Sequence, residues 1–159
     1  MPIGILFVCT ANICRSPMAK GAFRTMVKRA GYEQAFEIDS AGTYDGHVGQ
    51  PAAPLARETA MLRGYDISDH RARQVRGEDI GRFDFSLAMD RTHLAALRWL
   101  APRGKSDRAQ MLLKFAPDMG VHEVADPYRG PLSGYEAALG AALGDDLDAP
   151  VWDSPPPCG

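Results

Sequence analysis

Apolar positions fall along this chain in two rhythms, unbroken runs and runs spaced three to four residues apart, and the two alternate. Ile5, Leu6, Phe7 and Val8 form an unbroken run that predicts a buried strand over about 3–9. Met18, Ala22, Met26 and Ala30 then recur every four residues, with Phe23 and Val27 beside them, predicting a helix over about 17–30. A second strand is expected at about 36–40, and a helix at about 51–64, opened by Pro51 and stopped at Gly64. Residues 85–89 read as a third strand, followed by a helix stripe of Leu94, Leu97 and Leu100. Residues 110–115 are the candidate fourth strand, and Tyr135, Leu139, Leu143 and Leu147 mark a last helix.

Alternation of this kind predicts an α/β protein of three layers: a short, about four-stranded parallel sheet with helices on both faces. Residues 1–148 are expected to form one domain, and 149–159, with four prolines, an extended and loosely held tail. In such sheets ligands lie beyond the carboxyl ends of the strands, which is where Cys9 falls.

Composition narrows the classes. Hydrophobic content of 45% and charged content of 24% suit a soluble globular chain. A formal charge of −2 and a pI near 6.1 give no support for nucleic-acid binding. No apolar run reaches membrane-spanning length, and no basic signal-peptide start is seen, so no membrane partner is expected. Three cysteines, an odd number, do not make a disulfide framework, and a reactive thiol needs a reducing compartment. A cytoplasmic protein is expected. His47, His70, His93 and His122 are scattered, and the spacing of Cys9 and Cys14 does not match a zinc site. With no Gly-rich dinucleotide or nucleotide-phosphate motif either, neither metal nor cofactor is expected.

The candidate chemistry lies in Val8-Cys9-Thr10-Ala11-Asn12-Ile13-Cys14-Arg15-Ser16-Pro17. A strand ends on Cys9, and Ser16-Pro17 reads as the N-cap and first residue of a helix. The residues between must turn tightly, so the backbone N–H groups of Thr10, Ala11, Asn12, Ile13, Cys14, Arg15 and Ser16 can converge at the positive end of that helix. Such a cradle binds an oxyanion of phosphate size and favours the thiolate form of a cysteine at its centre. Arg15 adds a planar fork for two phosphate oxygens. Asn12 can take left-handed backbone angles and brace the turn. A nucleophile at the bottom of an anion cradle points to phosphoryl transfer through a phosphocysteine. The bare Cys-x5-Arg spacing is unspecific, and a cysteine ending an apolar strand is commonly a small buried hydrophobe. The flanking strand and helix are what favour the anion loop.

The run from Phe7 to Ala19 resembles the phosphate loop of the low molecular weight protein tyrosine phosphatases. The similarity returns at Asp39-Ser40-Ala41-Gly42-Thr43, Arg71-Ala72-Arg73-Gln74-Val75, Phe83-Asp84-Phe85-Ser86-Leu87-Ala88-Met89-Asp90 and Asp126-Pro127-Tyr128, in the family's order. The resemblance implies phosphotyrosine-containing proteins or peptides as substrates, and phosphate or vanadate-type anions as ligands. It implies Cys9 as nucleophile, Arg15 as phosphate clamp and Asp126 as general acid and base, although an Asp-Pro pair alone is a common turn starter. It implies supporting roles for Ser40 and His70, and a resolving role for Cys14 under oxidation, where the residues alone allow a buried filler. Ser16 would offer its hydroxyl to the sulfur besides capping. Asp90 stands at the sheet edge or caps the next helix. A monomer or weak dimer is expected.

Two positions depart from the family. Gly46 stands where an aromatic usually walls the pocket, leaving Tyr44 nearby, and Tyr128 is followed by Arg129 in place of a second aromatic. Arg129, with Arg71, Arg73 and Arg76, would attract acidic residues flanking the target or form a solvated face. The alternatives carried are an arginine phosphatase, disfavoured by Ile13, an arsenate reductase, disfavoured because residues 60–100 lack cysteine, and a non-catalytic phosphate-binding module.

Overall fold

The computed structural model describes residues 1–116 and 120–143. Four parallel strands, β1 (Ile3–Cys9), β2 (Phe36–Gly42), β3 (Phe85–Ala88) and β4 (Ala109–Met111), lie in the order β2-β1-β3-β4. Five α-helices accompany them among the described residues: α1 (Arg15–Arg29), α2 (Pro54–Leu62), α3 (Gly77–Arg82), α4 (Arg91–Leu100) and α5 (Leu132–Ala142). β1 alternates across the sheet as a strand must. Ile5, Phe7 and Cys9 face the cluster built with α1, α2 and α5; Leu6 and Val8 face the one built with α3 and α4. Both faces are covered, which is why β1 reads as an unbroken apolar run rather than an alternating one.

The strand order reverses at β1, since β2 lies on one side of it and β3 on the other. The carboxyl ends of β1 and β3 therefore flank a switch point, where loops diverge and leave a hollow. Cys9 ends β1, and Asp90 follows the end of β3.

Element limits shift where packing overrides the local pattern. α1 begins at Arg15, two residues before the expected start, and its N-cap is Cys14 with no side-chain capping bond. Ser16 thus lies inside the helix with its hydroxyl directed elsewhere. Met18 and Ala22 are buried but Met26 and Ala30 are exposed, because four-residue spacing advances about 40° per step around a helix of 3.6 residues per turn. Val27 takes the inward place instead. β2 runs on to Gly42, and α2 starts at Pro54 rather than Pro51. Gly64, with φ +84°, ends that helical segment as expected. The fourth strand has three residues, because the four-residue β3 offers it only three pairing positions; residues 112–115 form a 3-10 turn. Tyr135 and Leu139 are buried on α5, whereas Leu147 and the tail 149–159 lie outside the described residues.

Candidate active site

Three loops meet over the carboxyl ends of β1 and β3. They enclose a hollow of about 150 Å³ lined by Cys9, Thr10, Ile13, Arg15, Asp126 and, at its mouth, Tyr44, His47 and Tyr128. A larger apolar groove beside α1, of about 330 Å³ and walled by Phe7, Phe23 and Phe115, brings no reactive side chain together.

The loop after β1 turns its carbonyls outward. Those of Cys9, Thr10, Asn12 and Ile13 accept, respectively, from Thr43 N, Tyr44 N, His70 Nε2 and Ala53 N. In a trans peptide the C=O of one residue opposes the N–H of the next. The amides of Thr10, Ala11, Ile13 and Cys14 therefore point inward, toward the hollow at the start of α1. That is an anion cradle at the positive end of a helix. Gly42 lets the loop close: a β-carbon there would lie 2.4 Å from the Thr10 carbonyl oxygen.

Asn12 is the keystone of the turn. It is fully buried at φ +59°, and its side-chain amide donates to Ser16 Oγ at 2.7 Å and to Ser40 Oγ at 3.0 Å. Its Oδ1 accepts from Arg73 N at 3.0 Å. His70 bonds the Asn12 carbonyl at 2.6 Å, and since a carbonyl only accepts, Nε2 carries the proton. Burial pushes the His70 imidazole down from its ordinary value, the Asn12 carbonyl opposing, so the ring braces the loop in its neutral form. Ser40 and His70 thus both stand against the loop, each bonded to Asn12.

Cys9 Sγ lies 2.9 Å from Ser16 Oγ. Ser16 Oγ accepts from Asn12, and the serine's own hydrogen has two acceptors within reach, the Cys9 sulfur at 2.9 Å and, more distant, the Ala41 carbonyl at 3.5 Å. Arg15 is 3% exposed and held from both sides. Its Nη1 donates to Asp90 Oδ2 at 3.0 Å and to the Val124 carbonyl at 2.9 Å; its Nη2 donates to Thr10 Oγ1 at 3.3 Å. Asp126 Oδ2 lies 3.7 Å from Nη2, and this carboxylate is half-exposed at the rim. Asp126 Oδ1 accepts from Tyr128 N at 3.0 Å, which fixes the carboxyl over the hollow. Asp90 both follows β3 at the sheet edge and caps α4, its Oδ1 accepting from His93 N; its Oδ2, in addition, pairs with Arg15. Burial would raise the Asp90 carboxyl, but the His93 backbone N–H and the Arg15 guanidinium hold it below the ordinary value.

Cys14 lines the same hollow as Cys9 and donates to the Tyr135 hydroxyl at 3.6 Å. Burial pushes its thiol up to about 11, the tyrosine opposing and the Cys9 charge adding to the rise. Tyr44 stands at the mouth, in edge contact with His47 at 6.2 Å; His47 in turn meets Tyr128 at 5.9 Å. The Arg129 guanidinium lies over the Tyr128 ring at 5.5 Å. Arg73 is no solvated cation: it bonds Asp39 and Asp79 behind the loop. The sequence reading passed over His93 and His47. His93 precedes buried Leu97 by one helical turn, a sign that its ring faces inward.

A parallel α/β sheet carrying a cysteine in an anion-binding loop, with an arginine fork and a facing carboxylate, defines the class of cysteine-dependent phosphatase-like folds. Residues 4–142 match the family model for low molecular weight phosphotyrosine protein phosphatase. The chain is 41% identical over 142 residues to the low molecular weight protein-tyrosine-phosphatase of Streptomyces coelicolor, covering 87% of this chain and 86% of the relative. Among solved structures it resembles YfkJ from Bacillus subtilis with a TM-score of 0.85 at 33% identity, covering 91% of this chain and 90% of that one. It also resembles an Entamoeba histolytica protein tyrosine phosphatase holding Hepes in its active site, with a TM-score of 0.84 at 30% identity and 91% of each chain covered. The chain belongs to the low molecular weight phosphotyrosine protein phosphatase family.

Proposed function

We propose that the chain is a protein tyrosine phosphatase that hydrolyses phosphotyrosine monoesters through a phosphocysteine on Cys9. The observation that carries this reading is the meeting of Cys9, Arg15 and Asp126 in one hollow, beneath inward-turned amides. In the first step the Cys9 thiolate attacks phosphorus in line, the S–P bond forms and the P–O bond to the phenol breaks. Asp126 supplies the proton to the leaving oxygen, for which its place at the rim suits it. The guanidinium of Arg15 and the amides of residues 10–16 neutralise the charge spread over the equatorial oxygens. In the second step Asp126 takes a proton from water, the water attacks phosphorus, and the S–P bond breaks. Ser16, hydrogen-bonded to the sulfur, then stabilises the departing thiolate. No metal or cofactor is called on at any step.

Phosphoproteins are the substrate class that family membership implies, and inorganic phosphate and vanadate are the expected small ligands. Tyr44, His47 and Tyr128 would wall the aryl ring, and Arg129 would sit beside acidic residues flanking it. Residues 1–148 are read as a single catalytic domain. No described helix is long and apolar enough to cross a membrane. A reducing, cytoplasmic setting fits the thiol chemistry.

The test is Cys9→Ser. It should abolish p-nitrophenyl phosphate turnover while retaining vanadate binding; turnover at the wild-type rate would end the mechanism. A panel of phosphotyrosine, phosphoserine and phosphoarginine peptides should give the highest kcat/KM for phosphotyrosine.

A further inference from the structure

His93 takes no part in the steps above, yet its ring is 1% exposed and reaches from the first turn of α4 to the phosphate loop. Its Nε2 lies 2.8 Å from Thr10 Oγ1, and its Nδ1 lies 3.2 Å from Asp90 Oδ1. Thr10 and Asp90 each hydrogen-bond the Arg15 guanidinium through a side chain, one on each terminal nitrogen. Arg15, Asp90, His93 and Thr10 therefore close a ring of four side chains.

The protons in that ring can be assigned. Thr10 Oγ1 accepts from Arg15 Nη2, which leaves the threonine's hydrogen for His93 Nε2. The imidazole's single proton then sits on Nδ1, facing a carboxylate. The other tautomer would set a nitrogen lone pair against Asp90. Nδ1 makes no hydrogen bond of full geometry, so its contact with Asp90 is electrostatic. Burial, and then the charge of Arg15, push the ring down to about 4 against the pull of Asp90, so it is neutral near pH 7. A cationic ring would compete with Arg15 for the same carboxylate.

We propose that His93 is a positioning residue for phosphate binding: its Nδ1–H ring, bonded to Thr10 and facing Asp90, locks the two side chains that aim Arg15 at the anion. This rests on Arg15 being the phosphate clamp. An arginine fixed in advance loses no side-chain freedom when the anion arrives, and a clamp that can swivel stabilises the transition state less.

The experiment is a double-mutant cycle on kcat/KM for p-nitrophenyl phosphate, with vanadate inhibition measured alongside. Thr10→Val keeps the side-chain shape and removes the hydroxyl; His93→Leu removes the ring nitrogens. Each should lower kcat/KM by about ten- to a hundredfold and weaken vanadate in step. The double variant should be no worse than the poorer single one, because both break the same ring. His93→Gln, whose amide oxygen can accept from Thr10, should recover much of the loss, which a packing role alone would not give. Additive losses, or wild-type kcat/KM in Thr10→Val, would overturn the proposal. If His93→Leu does not fold, imidazole nitrogen shifts of the wild-type protein at pH 7 decide. A bare Nε2 and a protonated Nδ1 are expected, and a protonated Nε2 overturns it. Arg15→Lys separates the two readings: activity lost there but kept in Thr10→Val removes only the His93 role, whereas full activity in Arg15→Lys removes the clamp itself.

Discussion

The phenol ring of Tyr44 occupies the space into which a side chain on Gly46 would grow: a β-carbon there would lie 2.2 Å from Tyr44 Cε1 and 2.3 Å from Cζ and the hydroxyl oxygen. The glycine that seemed to cost the pocket its aromatic wall is the condition for another aromatic to stand in its place. Tyr44 leaves half of its surface open at the mouth, where a substrate ring could pack on it.

Tyr44→Ala should raise KM for an aryl phosphate by about two- to tenfold, the weight of one aromatic contact, with little change in kcat. Gly46→Ala should act in the same direction by pushing the phenol aside. Steady-state kinetics on both variants check this. Unchanged KM in both would show that the phenol does not touch the substrate.

Asp126 shares the hollow with Arg15 but keeps half of its surface in water, which suits the proton-transfer role proposed for it. Asp126→Ala should lower kcat by about two to four decades for phenyl phosphate, whose leaving group needs protonation. The loss should be smaller for p-nitrophenyl phosphate, whose leaving oxygen is less basic. Equal losses for the two esters would move the acid role to another group.

Much of the architecture was legible because it follows from period and placement. β1 is apolar without a break because both of its faces are covered, and the stop at Gly64 needs a positive φ that glycine supplies freely. The tight turn between Cys9 and the first helix was legible from a strand end and a helix start only a few residues apart. The misplaced N-cap shows the limit of that reading. Ser16 was assigned by residue preference, yet its hydroxyl is taken by Asn12 and Cys9, partners that only the closed loop brings near. His93 was given no role, and Arg73 was read as one of a surface group, for the same reason, since what they touch is distant in sequence: Thr10 is 83 residues from His93, and Asn12 is 61 from Arg73. The three-residue β4 was over-extended because an edge strand's length is set by its neighbour, not by its own propensity.

Cys14 is held protonated near neutral pH by burial, so it is a poor nucleophile toward a phosphate ester, and it would act only toward a strongly electrophilic sulfur. Peroxide would convert Cys9 to a sulfenic acid; the Cys14 sulfur could then attack it, forming a disulfide and releasing water. Cys14→Ser should leave kcat/KM close to wild type but slow the recovery of activity when a thiol reductant is added after peroxide. Equal recovery in the two proteins would assign Cys14 to packing alone.

The neutral His93 ring also links stability to acidity. Its ordinary value of 6.5 applies in the unfolded chain, against about 4 in the folded one. Well above pH 6.5 neither state binds the proton, so the group contributes no difference. As pH falls from 6.5 toward 4 the unfolded chain takes up a proton that the folded protein excludes, and stability declines. The slope approaches about 1.4 kcal/mol per pH unit for one such group. His70, lowered by its own burial, adds in the same direction. Asp39 and Asp90 hold lowered values despite burial, through the Ser40 and His93 amides and nearby cations, so their loss begins only at more acid pH. Urea midpoints measured at pH 7.0, 5.5 and about 4.5 should therefore fall steadily in the wild-type protein and less steeply in His93→Gln. A variant whose midpoints track the wild type throughout would place the acid sensitivity elsewhere.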